Sequence, residues 1–323
     1  MKGFVYRNTK SVVWGDVHKT QPRGMAYETD KHFVHVYGKA DGLWIISNGL
    51  TIAEVKQGTL HDWIVNNFGA VEIEECANPL GATTKGVWRP GLFYDEEMLQ
   101  GLGATNAELR DSEQALLLLV QRLDELLLFV EPSKKTFDTY SHKARELLIL
   151  ACTEIEAQWK YYMALGGRTA PKGGFTTNHY VKLLEPLFLA EYEVSLPRYN
   201  ELAPIRPFLG WAPKPSPTKT LGWYDAYNKT KHDRTQHFSE ATLLRCIQAV
   251  AGCIVLFSVR FGPLRLFHGA GTLAALMNAS FTISLRDCEP TSFYIPELVV
   301  ENWTNRTWGQ ASIHPRQPMP FKF

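Results

Sequence analysis

The sequence predicts an α+β protein. Two patterns carry that expectation. Short runs of aromatic and β-branched residues fill roughly the first 75 positions, bounded by turn signals. Leucine-rich stripes at helical spacing then fill the middle of the chain, with no strand–helix alternation that would suggest a parallel sheet.

Among residues 1–75 the runs S-V-V-W, H-F-V-H-V-Y and L-W-I-I-S read as strands, separated by A-D-G and S-N-G. One helix is expected at Thr59–Phe68, with Thr59 as its N-cap and Leu60, Ile64 and Phe68 on one face. Trp14, Trp44 and Trp63 are candidates for partner recognition, although single tryptophans usually belong to a core. Residues 76–104 carry proline and glycine and read as a long connection, so the first domain is expected to span 1–104.

The period changes at Asn106. Leu116, Leu119, Val120, Leu123, Leu126 and Leu127 form a stripe that Glu131-Pro132 terminates. A second helix is expected from about 138 to Leu165, capped by Ser141, with Ala144, Leu147, Leu148, Ala151, Cys152 and Ile155 inward and Gly166-Gly167 as the stop. A third is expected at Thr177–Tyr192, followed by a proline-rich loop. The last strong helix spans about 239–260. These elements define a helical domain over 105–265. The tail, 266–323, holds two strand-like runs, 280–286 and 294–301. They are expected to form a hairpin or to complete the N-terminal β layer.

The chain has 323 residues and a net charge of +1. No global field therefore draws it to nucleic acid or membrane, and any basic surface must be local. Five cysteines without a C-x-x-C pair argue against a disulfide framework and a structural zinc site. The N-terminal M-K-G-F-V-Y-R-N-T-K lacks an apolar signal core, and the run Cys246–Phe257 is short for a membrane span. A cytoplasmic protein without membrane partners is expected. The sequence calls for no cofactor or metal: P-loop, H-E-x-x-H and paired metal-ligand spacings are absent. The segment Gly269-x-Gly271-x-x-Ala274 imitates a dinucleotide fingerprint but lacks a second β-α unit.

The densest chemistry lies in W-Y-D-A-Y-N-K-T-K-H-D-R, Trp223 to Arg234. On a helix, Asn228 and His232 would share a face, and Tyr224, Tyr227 and Lys231 would line an adjacent row. Trp223, Tyr224 and Tyr227 read as packing residues, with base stacking the sharper alternative. Lys229, Lys231 and Arg234 read as a solvated face partly neutralised by Asp225 and Asp233, or as phosphate ligands. Glu154 and Glu156 lie on the preceding long helix. Glu156 is expected to turn inward and pair with His232 or an arginine.

This segment, together with S-H-K-A-R-E-L-L-I-L-A-C-T-E-I-E-A at Ser141–Ala157, resembles the HEPN superfamily over roughly residues 106–262. The resemblance implies a helical bundle, usually homodimeric, in toxin–antitoxin or antiviral defence systems. It also implies a metal-independent endoribonuclease whose signature is an arginine, often a following polar residue, and a histidine four to six positions on. In such a site the cation holds phosphate while the imidazole moves a proton at the ribose 2′-hydroxyl or the leaving oxygen. Carried onto this chain, His232 would be the acid or base and Asn228 would orient it. Tyr227 stands where the arginine belongs. It would hydrogen-bond phosphate but carries no charge at neutral pH. Lys229, Lys231, Arg234 or Arg145 would have to supply the cation. The departure equally admits a non-catalytic scaffold that holds a nucleotide, RNA or a protein partner such as an antitoxin or defence subunit.

Overall fold

The computed structural model describes residues 3–12, 15–39, 42–43, 45–93 and 95–323, with backbone alone for residues 45, 47, 48, 95 and 96. Trp14 and Trp44 lie outside the described residues. The chain has an antiparallel sheet toward its N-terminus and helices at its centre, an α+β fold. It divides into two compact units: Met1–Ala104 with Asp287–Met319, and Thr105–Arg286 with Pro320–Phe323.

In chain order the first unit opens with β1 (Phe4–Arg7), a helical turn α1 (Val17–Thr20), β2 (Arg23–Glu28), β3 (His32–Lys39) and β4 (Ile45–Val55). Helix α2 (Leu60–Phe68) follows, then β5 (Val71–Glu75), β6 (Ala82–Thr84) and α3 (Asp95–Leu102). The α2 cap forms as the sequence predicts: the Thr59 side chain accepts from the Asp62 amide, and Gly69 closes the helix at φ +57°. Trp63 is 7% exposed and sits in the core with Phe33 and Phe68, so it does not offer a recognition surface. The 76–104 connection is more ordered than its prolines and glycines suggest, because Met98 and Leu102 of α3 are buried.

The second unit begins with α4 (Asn106–Phe129) and α5 (His142–Leu165). Thr105 and Glu108 form a reciprocal capping box on α4, and Ser141 caps α5 through the Ala144 amide. The expected third helix forms only as α6 (Thr177–Tyr180) and two short 3-10 turns, which lead to β7 (Tyr192–Ser195). Pro186 lacks the amide that a continuous helix would need. Then come α7 (Pro217–Thr220), α8 (Gly222–His232), α9 (Arg234–His237), α10 (Leu243–Phe261), α11 (Arg265–His268), α12 (Thr272–Ser280) and β8 (Thr282–Leu285).

Helix α10 is the centre of this unit, packing on α4, α5 and α8. It is long and apolar enough to cross a membrane, longer than the apolar run read from the sequence, and 83% of its window is buried inside the fold. That is the burial of a core helix. Cys246 and Cys253 lie on its buried face, and each thiol donates to a carbonyl of α5, at Ala144 and Ala151. Gly252 lets α5 approach, since a Cβ there would meet Ile155 Cδ1 at 3.1 Å. The segment before Gly269 is the helical turn α11, so the glycine pattern follows no strand and is not a nucleotide loop.

The tail does not fold as a hairpin. Its first run, as β8, pairs antiparallel with β7 inside the helical unit, with Val194 opposite Ile283. The second run, 294–301, supplies buried Tyr294, Ile295, Leu298 and Val300 to the first unit without forming a strand. The β layer is completed instead by β9 (Arg306–Gly309), giving the order β5-β1-β2-β3-β4-β9. A further strand, β10 (Gln317–Met319), runs parallel to β6. The unit boundary therefore falls between Arg286 and Asp287 rather than at 265. β7 is thus paired on two sides: Val194 bridges Ile205 through a reciprocal backbone pair at 2.8 Å, and β8 supplies the other neighbour from the helical unit.

Candidate functional site

The Trp223–Arg234 stretch is helical through His232. Helix α8 uses one face for packing: Trp223, Tyr224, Ala226, Tyr227 and Thr230 are buried. Trp223 donates its indole N–H to the Pro207 carbonyl at 2.9 Å and lies edge-on to Phe208. These aromatics are core residues, and none is placed to stack on a base.

Tyr227 is 0% exposed. Lys231 reaches its hydroxyl at 2.7 Å and also lies over its ring, 4.9 Å from the centroid. Burial pushes the phenol pKa up, and the hydrogen bond to Tyr227 raises that of the Lys231 ammonium. At neutral pH the pair is therefore an ammonium donating to a neutral phenol. Tyr227 cannot meet a phosphate at the surface.

Glu156 does turn partly inward, but it meets neither His232 nor an arginine. Its Oε1 accepts from the Tyr224 hydroxyl at 2.8 Å. Burial first, then Glu156, drives the Tyr224 phenol far above its ordinary pKa, so Tyr224 stays a donor. Glu154 is bound by Gln158 along its own helix. The expected Glu156–His232 pairing is corrected: the phenol of Tyr224, about two turns before His232, holds the carboxylate instead.

The cations separate into two groups. Lys229 is held by Asp225 at 3.0 Å and Glu240 at 3.3 Å, so it is engaged within the fold. Arg145 comes from α5 to the end of α8, as the sequence reading allows. There its guanidinium donates to the Thr230 carbonyl at 3.0 and 3.3 Å. It closes a carbonyl that the end of the helix leaves open. Lys231 and Arg234 are exposed. Asp233 is not ion-paired with Arg234; its carboxylate caps α9 by accepting from the Gln236 amide and keeps its charge there.

Asn228 and His232 occupy one face a turn apart, Asn228 half-exposed and His232 exposed. Among the described residues, neither side chain has a hydrogen-bond partner. The arrangement is an open surface: Asn228, Lys231, His232 and Arg234 at the end of α8 and the start of α9.

Next to it lies a group the sequence reading missed. The Phe238 ring gathers Tyr140 (5.6 Å between centroids, 87°), His142 (4.7 Å, 42°) and the Arg234 guanidinium carbon (5.9 Å). Tyr140 and Phe238 are almost a hundred positions apart, and the backbone pairing of 137–140 with 242–244, including the bridge between Tyr140 and Thr242, brings them together.

Two concavities lie elsewhere. A groove of about 330 Å3 runs between α4 and α5, floored by Leu126, Phe129, Leu147 and Leu150 and edged by Arg122, Glu125, Lys143 and Glu146. A cleft of about 240 Å3 in the first unit involves His32, Glu297 and Glu301. Neither is lined by Asn228 or His232. Among the described residues no group of three or more His, Cys, Asp or Glu side chains is arranged to hold a metal ion. Comparison with protein-family models, with curated proteins and with solved structures gives no significant match.

Proposed function

We propose that the helical unit is a HEPN-like module that holds RNA or a nucleotide on the open surface at the end of α8, and that it acts by binding rather than by cleavage. The observation that carries this reading is the burial of Tyr227. The family signature needs a cation there, beside the histidine, to hold phosphate as charge develops. Here that position is inside the core, and Arg145 and Lys229 are engaged elsewhere. Lys231 and Arg234 remain to attract phosphate, and each phosphate contact adds an electrostatic, salt-dependent contribution to binding.

The nuclease stands as the second reading because of one observation. Asn228 and His232 share a solvent-facing row at the signature spacing, free to reach a ribose. In that reading His232 moves the proton, Asn228 orients it, and Lys231 or Arg234 replaces the missing cation. Both readings keep the setting that the resemblance implies: a cytosolic homodimer of a toxin–antitoxin or antiviral defence system, with an antitoxin or defence subunit as a further partner.

The test uses labelled single-stranded RNA and tRNA in the presence of EDTA, with the native chain and His232→Ala, reading retention and cleavage together. Retention without cleavage is the expected result. Cleavage by the native chain that His232→Ala abolishes would replace the binding reading with the nuclease. Neither retention nor cleavage would remove both.

A further inference from the structure

We propose that Tyr140 is a base-stacking platform for single-stranded RNA, set beside the phosphate-contacting strip Lys231–His232–Arg234. This rests on the binding reading above and names its ligand class.

Tyr140 leaves 50% of its surface open to solvent. It stands just before the N-cap of α5, in a segment fixed by backbone hydrogen bonds. Leu243 donates to the Thr139 carbonyl at 2.8 Å, Leu244 donates to the Phe137 carbonyl at 3.1 Å, and Tyr140 bridges Thr242. An exposed ring on a fixed backbone has already lost most of the freedom that binding would otherwise remove.

The ring is coupled to the cations through Phe238. Tyr140 meets that ring edge-on at 5.6 Å, and the Arg234 guanidinium lies 5.9 Å from the same centroid. A phenol face and a guanidinium packed on one shared neighbour set a stacking surface beside a positive charge. This pairing of stacking surface and positive charge is the general solution for unpaired strands. Of the nearby acids, Glu240 is paired with Lys229, and the Asp233 carboxylate is turned to the Gln236 amide at the α9 cap rather than ion-paired with Arg234. The chemistry favours single strands over duplexes, because an outward-facing ring stacks only on bases that are not already stacked on their neighbours.

The experiment measures binding of the full chain to three labelled probes: single-stranded oligouridine, a fully abasic oligonucleotide of the same length, and an RNA duplex. The native chain is compared with Tyr140→Ala, Tyr140→Phe and Tyr140→Trp. The native chain is expected to prefer oligouridine. Tyr140→Ala should lose about ten-fold on oligouridine with no change on the abasic strand, and both ring-keeping variants should retain binding. Equal affinity for oligouridine and the abasic strand, or oligouridine binding unchanged in Tyr140→Ala, would overturn the stacking role and leave the binding reading in place. No binding of any probe by the native chain would overturn both.

Discussion

Lys231 turns back along α8 and donates to the buried Tyr227 hydroxyl at 2.7 Å, joining the exposed strip to the core of the bundle. The pair sits at i and i+4, and the ammonium also lies over the phenol ring. Tyr227 is thus the inner anchor of a surface cation.

Tyr227→Phe separates these roles. The ring stays in the core and the acceptor for Lys231 disappears. A loss of about 1 kcal/mol is expected, since one hydrogen bond goes and the ammonium regains water. RNA retention should stay within about two-fold of the native chain, at a hydrogen bond's scale. Urea denaturation and a binding titration check the two halves. A large loss of binding at unchanged stability would mean that Tyr227 reaches the ligand.

Arg145 joins α5 to the end of α8 through the Thr230 carbonyl. Arg145→Ala leaves the carbonyl of buried Thr230 without this donor and should destabilise the helical unit by about 1–2 kcal/mol. Arg145→Lys should recover only part of the loss, because an ammonium cannot reproduce the two-nitrogen contact. Thermal unfolding of the three proteins gives the order.

Lys231→Ala and Arg234→Ala should each weaken RNA binding and flatten its salt dependence. If each cation neutralises one phosphate of a single strand, the slope of log affinity against log salt should shrink by about 0.7 per substitution. Lys229→Ala should leave the slope unchanged, because Asp225 and Glu240 already neutralise it. A Lys229 effect as large as that of Lys231 would place the ligand on another face of α8.

In the first unit, His35 is fully buried, stacked on Phe68 at 3.7 Å, with Nδ1 2.6 Å from the Tyr6 hydroxyl. Burial holds its imidazole well below the ordinary range, so it is neutral when folded. The unfolded chain protonates this histidine near pH 6.5. Its contribution to stability is therefore fully present above that pH and is lost as pH falls from there toward the depressed folded value, by up to about 1.4 kcal/mol per pH unit. Urea midpoints at pH 7.5, 6.0 and 5.0 should fall in that order, and His35→Gln should reduce the slope. Equal slopes would assign the acid sensitivity to other groups.

The sequence by itself determined the strongly periodic helices α2, α4 and α5. Their stripes and caps are local: Thr59, Thr105 and Ser141 each satisfy an amide three residues on, and Leu116 to Leu127 repeat at the helical period. It would place Asn228 and His232 on one face if that stretch were helical, because four residues make about one turn, and the fold of α8 supplied that condition. Only the tertiary structure decided which neighbouring side faces inward. The polar pattern of α8 allows Tyr227 to be exposed or buried, and packing against α5 and α10 buries it. Long-range pairing decided the rest. The run 282–285 joins β7 because the unpaired backbone of a short strand needs a partner. The Tyr140–Thr242 bridge brings together Tyr140, Phe238 and Arg234, residues whose separation in sequence carries no periodic signal.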